Sequence, residues 1–231
     1  MTGKLPDGRT RLWLRWVVAN ALGELVGLGI TALVGAVFFS VIGEDTGGSA
    51  VLALASVAVL AGTLAEGTSV GTAQWLVLRR PLPRLHWRTW AAATGAGAFL
   101  AWTLGMIPST VMSLGAGSSG QAGPEPDQMI VYSLAFAMGL VLGPVLGLAQ
   151  WLVLRRFVGR AALWMPANSL AWAFGMVAIF VGADLVVGST GPAAVVLLAV
   201  TLACAGATVG AIHGLALVWL LGHAPKPRTA P

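Results

Sequence analysis

The sequence predicts an all-α membrane protein, a six-helix transmembrane bundle built from three parallel two-helix hairpins with pseudo-three-fold symmetry about the membrane normal. The prediction rests on the apolar composition, on six long apolar runs and on a repeated segment. The chain has 231 residues, of which 57% are hydrophobic and 9% are charged, whereas about a quarter are charged in soluble proteins. This composition excludes a water-soluble globular domain.

Each apolar run is long enough to cross a hydrocarbon layer about 30 Å thick, which takes roughly 20 helical residues. A backbone in lipid must satisfy its own hydrogen bonds, so each run is expected to be a helix. The first run follows basic residues as a signal peptide does, but it is too long for one and shares a motif with the fifth. The predicted spans are Trp16 to Ile42, Val51 to Leu78, Trp90 to Met112, Met129 to Leu154, Ala162 to Val187, and Ala193 to Leu221.

The basic residues are distributed asymmetrically. All 13 Lys and Arg residues lie in the N-terminal segment, in the loops after the second and fourth spans, and in the C-terminal tail. The opposite loops carry Glu44, Asp45, Glu125 and Asp127 and no basic residue. The positive-inside rule therefore predicts a multi-pass protein of the inner or plasma membrane with both termini cytoplasmic. The positive-inside distribution accounts for the net charge of +5, so no nucleic-acid partner is expected. Membrane lipids with anionic headgroups are expected as partners of the basic residues.

One ten-residue segment occurs twice. Gly71 to Arg80 reads GTAQWLVLRR and Gly147 to Arg156 reads GLAQWLVLRR, with a single difference. A weaker third copy places His213 where the others have Gln74 and Gln150. Such self-similarity indicates an internal repeat within a single transmembrane domain. The predicted repeats cover approximately residues 12–80, 84–156 and 160–222.

The repeated QWLVLRR segment resembles one in uncharacterised bacterial multi-pass membrane proteins. The resemblance covers only the ends of two hairpins and implies no activity. Mitochondrial carriers also have three two-span repeats, but their Pro-x-Asp/Glu-x-x-Lys/Arg signature is absent from this chain.

Glycine pairs at GxxxG spacing precede each copy of the segment. Glycines four residues apart share a helix face and let a neighbouring backbone approach closely. The sequence therefore predicts three glycine rails against neighbouring helices. The pairs are Gly67 and Gly71, Gly143 and Gly147, and Gly206 and Gly210.

Each span carries one polar residue near its predicted cytoplasmic end. One interpretation is an interhelical hydrogen-bond layer, with each bond contributing about 0.6 to 2 kcal/mol in a bilayer. The alternative makes His213 a proton acceptor or a ligand contact. In the odd-numbered spans the register of the middle repeat stays open, because either Trp90 or Trp102 can be aligned with a tryptophan of the fifth span. The six residues are Asn20, Gln74, Thr94, Gln150, Asn168 and His213.

Two acids lie deep in the spans and are not repeated. Glu24 follows Arg15 by nine residues and Glu66 precedes Arg79 by thirteen, which places both roughly 14 to 20 Å deep. No Lys or Arg lies in a span, so at least one carboxyl is expected to hold a proton near neutral pH. Such acids usually mark a functional site, and both are candidates for catalysis or ligand binding. The structural alternative is a protonated Glu bonded to a neighbouring backbone.

Eight of the ten tryptophans lie near predicted cytoplasmic ends and are interpreted as an interfacial belt, namely Trp13, Trp16, Trp75, Trp87, Trp90, Trp151, Trp164 and Trp219. Trp102 and Trp172 lie at the depth of the two acids and are expected to line a cavity with them. Cys204 is interpreted as a small core residue, and Asp184 is expected at the outer end of the fifth span. Residues 113–128 are interpreted as a mobile outer loop.

Three functional hypotheses fit these features. The first is binding or transport of a proton, a cation or a small amphipathic molecule in a midplane cavity. The second is an intramembrane enzyme, similar to a terpenoid cyclase, with Glu66 as a general acid and two tryptophans stabilising a carbocation. The third is a scaffold held to its partners by glycine faces. The sequence leaves the enzyme question and the oligomeric state open, and it predicts neither a metal site nor a cofactor.

Overall fold

A computed structural model describes residues 8–42, 47–119 and 126–223. Within these ranges the chain forms six helices, each long and apolar enough to cross a membrane. The predicted spans are confirmed in number and approximate position, and most helices extend beyond them. Glu44, Asp45 and Glu125 lie outside the described residues. The helices are α1 (Gly8–Ile42), α2 (Gly48–Leu78), α3 (Trp87–Ser119), α4 (Gln128–Leu154), α5 (Trp164–Val186) and α6 (Gly191–Gly222).

The predicted outer loop at residues 113–128 is partly wrong, because α3 continues to Ser119. The Gly and Ser residues that favoured a loop there are weak helix formers, yet they are tolerated at the end of a long helix. At the far side of the same connection, Asp127 caps α4, since its side chain accepts a hydrogen bond from the Met129 backbone over 2.8 Å.

The six helices close into a ring. Each helix packs against the next one in sequence, and α6 packs against α1. The glycine pairs make this packing close. A Cβ atom on Gly67 would lie 2.7 Å from the Cα of Gly95 in α3, and one on Gly210 would lie 3.0 Å from the Cα of Val17 in α1. These glycines therefore bring neighbouring backbones into contact, and such van der Waals packing is one of the forces that drive helix association in lipid.

The contact between α4 and α5 shows how the sequence builds this packing. A Cβ atom on Gly143 would lie 2.7 Å from the Cα of Ser169. The next residue, Pro144, has no N–H group, so the carbonyl of Leu140 loses its usual partner within the helix. The Ser169 hydroxyl of α5 donates to that carbonyl over 2.6 Å. The interface thus satisfies a polar group that the proline would otherwise leave unpaired in the membrane.

Candidate functional site

A layer of hydrogen-bonded polar side chains crosses the bundle near its arginine end, the end at which α1 begins and α2 ends. Gln74 Nε2 donates to Asn20 Oδ1 over 2.8 Å. Gln150 Nε2 donates over 2.9 Å both to Gln74 Oε1 and to Thr94 Oγ1. All four side chains are buried. This polar layer therefore joins four helices by side-chain hydrogen bonds, and Asn168 and His213 lie buried beside it.

Three tryptophans donate to the polar layer or to His213 beside it, and none of them is exposed. Each indole N–H donates to a polar side chain of a different helix. Trp16 donates to His213 Nδ1 over 2.9 Å and Trp90 to Gln74 Oε1 over 3.1 Å. Trp164 donates to Gln150 Oε1 over 3.0 Å. The interfacial-belt interpretation is wrong for these three residues. An indole N–H buried in a bundle needs a partner, and the polar layer supplies it.

The sequence did carry a signal for these tryptophans. In each odd-numbered span a tryptophan precedes the polar residue by four positions. The later side chain bonds back to the tryptophan's own carbonyl, Asn20 to Trp16 over 2.8 Å and Thr94 to Trp90 over 3.0 Å. Asn168 does the same to Trp164 over 2.8 Å. The four-residue spacing thus couples the buried indole to the polar residue one helical turn further on.

His213 accepts a hydrogen bond from one neighbouring tryptophan and stacks on another. Its Nδ1 atom accepts the Trp16 bond and so carries no proton in this arrangement. Its ring stacks on Trp164, with the ring centroids 5.2 Å apart and the planes inclined by 27°. The available acceptor of His213 is therefore already occupied.

An apolar plug closes the arginine end of the bundle above the polar layer. It combines the three buried tryptophans with leucines and smaller residues from the helix ends and the two arginine-end loops. Leu78 and Leu154, the last residues of α2 and α4, are not exposed at all. The plug therefore separates the polar layer from that membrane surface.

Below the polar layer, Glu24 of α1 and Glu66 of α2 line one small cavity of about 20 Å³. Glu24 is 1% exposed and Glu66 is 6% exposed. Apart from Trp102, every predicted site residue lines this cavity, which we call the acidic cavity. These residues are Glu24, Glu66, Trp172, His213, Gln74, Gln150, Asn20 and Asn168.

The two acids differ in their hydrogen bonding. Trp102, on α3, donates its indole N–H to Glu66 Oε2 over 2.6 Å. Glu24 Oε2 is buried and has no hydrogen-bond partner in the part of the chain that the structure describes. A buried carboxylate oxygen without a partner costs free energy unless a proton, a cation or a water molecule reaches it. The acidic cavity has room for about one water molecule, so a proton, a small cation or a water molecule within it could reach Glu24 Oε2.

A π-helical turn at Gly62–Glu66 interrupts α2 and ends at the acid. Such turns widen a helix by one residue and occur often at functional sites. Gly62 lies directly against the indole of Trp102, where a Cβ atom would overlap the ring. The turn therefore places Glu66 and Trp102 side by side, and periodicity in the sequence gave no sign of it.

Other predicted residues lie away from this site. Asp184 is exposed near the end of α5, as expected, and accepts hydrogen bonds from Gln128 Nε2 over 2.7 Å and from the Tyr132 hydroxyl over 2.5 Å. The interpretation of Cys204 as a core residue is wrong, because it is exposed on the outer face of α6. Small residues suit both faces of a tightly packed membrane helix, so size did not predict its orientation.

Among the described residues, no group of three His, Cys, Asp or Glu side chains is arranged to hold a metal ion. What the chain does bring together is a pair of acids with an indole donor on one of them and an unpaired oxygen on the other. This arrangement can hold positive charge. The chain matches no protein-family model, and no curated protein or solved structure is significantly similar to it.

Proposed function

We propose that the protein binds a proton or one small cation between Glu24 and Glu66 and carries it across the membrane. The observation that carries this proposal is the buried Glu24 Oε2 atom, which has no partner and belongs to the lining of a cavity shared with Glu66. Two acids without a basic residue beside them require positive charge from elsewhere. No Lys or Arg of residues 8–42, 47–119 or 126–223 belongs to the lining of the acidic cavity.

The size of the acidic cavity favours a proton or a small cation over a larger ligand. Sites that enclose a drug-sized organic molecule measure about 300 to 1,000 Å³, whereas this cavity measures about 20 Å³. A terpenoid does not fit, so the intramembrane-enzyme hypothesis has no substrate space here. A scaffold needs no cavity and no unpaired acid, so it leaves Glu24 unexplained.

The experiment measures ion binding and ion movement on the same variants. Melting in detergent is followed by tryptophan fluorescence while Na⁺, K⁺, Li⁺ and pH are varied, and proton or cation uptake is measured in proteoliposomes. A ligand present at 100 times its dissociation constant raises the free energy of unfolding by about 2.7 kcal/mol, which is easily measured. Glu24→Gln and Glu66→Gln should each abolish the ion dependence and the uptake.

The matched control is Asp184→Asn, which neutralises an acid outside the acidic cavity. It should retain both the ion dependence and the uptake. If the two glutamine variants behave like this control, the proposal is wrong. If ion binding depends on Glu24 but no uptake is measured, the proposed binding site is correct and the proposed transport is wrong.

We also propose that the three hairpins are repeats related by pseudo-three-fold symmetry. The support is the recurrence of one contact, in which a tryptophan of each odd-numbered helix donates to the polar residue of the even-numbered helix before it around the ring. This recurrence favours the register in which Trp90 corresponds to Trp16 and Trp164 over the one that aligns Trp102 with Trp172.

The orientation is proposed from the charges alone, with the arginine end in the cytoplasm. A single cysteine at Gly47 or Ser119, in a Cys204→Ala background, should react with an impermeant thiol reagent added outside intact cells. Labelling only after lysis would reverse the assignment.

A further inference from the structure

A groove of about 850 Å³ runs between α1 and α2 at the arginine end, on the outside of the bundle. Its lining includes Arg11 and Arg15 from α1, and Arg79 and Arg80 from the end of α2. Among the described residues, no Asp or Glu contributes to this lining, so no acid in the described part of the chain neutralises the four guanidinium groups there. We call it the arginine groove.

The arginine groove changes from charged to apolar along the helix axes. Toward the centre of the bundle, the arginines of α1 are followed on the same helix by Val18 and Leu22, and both are about half exposed. On α2, Leu76 lies about one turn before the arginines and is also half exposed. The groove thus offers guanidinium groups at the level of the membrane surface and an apolar channel below them.

We propose that the arginine groove binds a phospholipid with a net negative headgroup from the leaflet at the arginine end. Guanidinium groups bind phosphate through paired, charge-assisted hydrogen bonds, and several of them can surround one headgroup. The exposed apolar side chains below give an acyl chain a surface along the helices. The site is separate from the acidic cavity and does not depend on the function proposed for it.

The other two hairpins do not repeat the pair of arginines at the start of α1. Arg11 and Arg15 stand five and one positions before the buried Trp16. The matching positions before the other two buried tryptophans hold uncharged residues, so only the first hairpin has arginines at these two positions, although Arg88 lies in α3, two positions before Trp90. The uncharged residues are Leu85 and Thr89 before Trp90, and Gly159 and Leu163 before Trp164.

The test is lipid retention measured by native mass spectrometry on the full chain, in detergent containing equal amounts of phosphatidylglycerol and phosphatidylcholine. The native protein should retain phosphatidylglycerol selectively. The double variant Arg11→Gln with Arg15→Gln should bind it about 30-fold more weakly, since each basic residue near the surface contributes about fivefold. The matched control, Arg155→Gln with Arg156→Gln, removes the same charge from the second hairpin and should bind normally.

A second measurement uses the native protein alone, so it does not depend on a variant that folds. Phosphatidylglycerol with a photoreactive acyl chain should label α1 and α2 at the apolar part of the groove. Equal losses in both double variants, equal retention of the two lipids, or labelling spread over all helices would overturn the proposal. Displacement of the lipid by inorganic phosphate at the same concentration would identify a free-phosphate site and would overturn it too.

Discussion

The polar layer borders the acidic cavity, and the two acids of that cavity lie one to two helical turns from Asn20 and Gln74 on the same helices, yet the hydrogen-bonding groups of the acids and of the polar layer are satisfied very differently. In the polar layer, Gln74 and Gln150 use both their amide and their carbonyl groups in bonds to other side chains. In the acidic cavity, Glu66 accepts one bond from an indole and Glu24 leaves an oxygen without a partner.

This difference follows the repeat pattern of the sequence. The polar residues that recur in each hairpin are paired, whereas the acids that occur in a single hairpin are not fully paired. Fully satisfied buried networks hold one arrangement, and partly satisfied ones are costly unless a ligand completes them. The recurring residues thus stabilise the bundle, whereas the single-copy acids are the residues to which the proposed function assigns a role.

The largest expected effect comes from the close packing on which both regions depend. A leucine at Gly143 would overlap the Asn168 carbonyl and the Ser169 backbone of α5, so α4 and α5 would have to separate. Gly143→Leu should lower the free energy of unfolding by about 3 kcal/mol. Val141→Leu, an exposed site on the same helix, should change it little. Equal melting temperatures for the two variants in detergent would show that the rail is not a packing surface.

The next prediction compares the loss of stability caused by a substitution in the polar layer with that caused by a substitution of an acid in the acidic cavity. Gln150→Leu leaves Trp164, Gln74 and Thr94 each without one partner, and should cost about 2 kcal/mol. Glu24→Gln removes a carboxylate oxygen that has no partner, so it should change the stability by less than about 1 kcal/mol. Melting curves without added ions make the comparison. A larger loss of stability for Glu24→Gln than for Gln150→Leu would mean that Glu24, and not the polar layer, stabilises the bundle.

The sequence predicted the six spans because a backbone in lipid leaves few alternatives to a helix. It also identified the polar residues that line the acidic cavity, since polar groups in apolar spans are costly and therefore face inward. It failed for Trp16, Trp90 and Trp164, because the general rule for tryptophan at membrane interfaces outweighed the four-residue spacing. Their burial depends on contacts between helices that are far apart in sequence.

The π-helical turn at Gly62–Glu66 is another feature that local sequence rules do not predict. A helix gains one extra residue in a turn when tertiary contacts stabilise the wider geometry, and here Trp102 of the next helix supplies such a contact. Both failures have the same origin, which is that a residue of one helix is positioned by a neighbouring helix.

The smallest expected effect concerns the hydrogen bond that distinguishes Glu66 from Glu24. Trp102→Phe keeps an aromatic ring beside Gly62 but removes the donor that lies 2.6 Å from Glu66 Oε2, so the stability should fall by about 1 kcal/mol. Without the indole donor, the negative charge on Glu66 Oε2 is no longer stabilised by Trp102. The carboxylate should then attract the bound proton or cation more strongly, so the ion affinity should rise. Trp87→Phe removes an exposed indole bond to Thr72 and is the matched control, with little change in either quantity. Melting and ion titration on the two variants measure both quantities, and identical behaviour would mean that Trp102 has no part in the site.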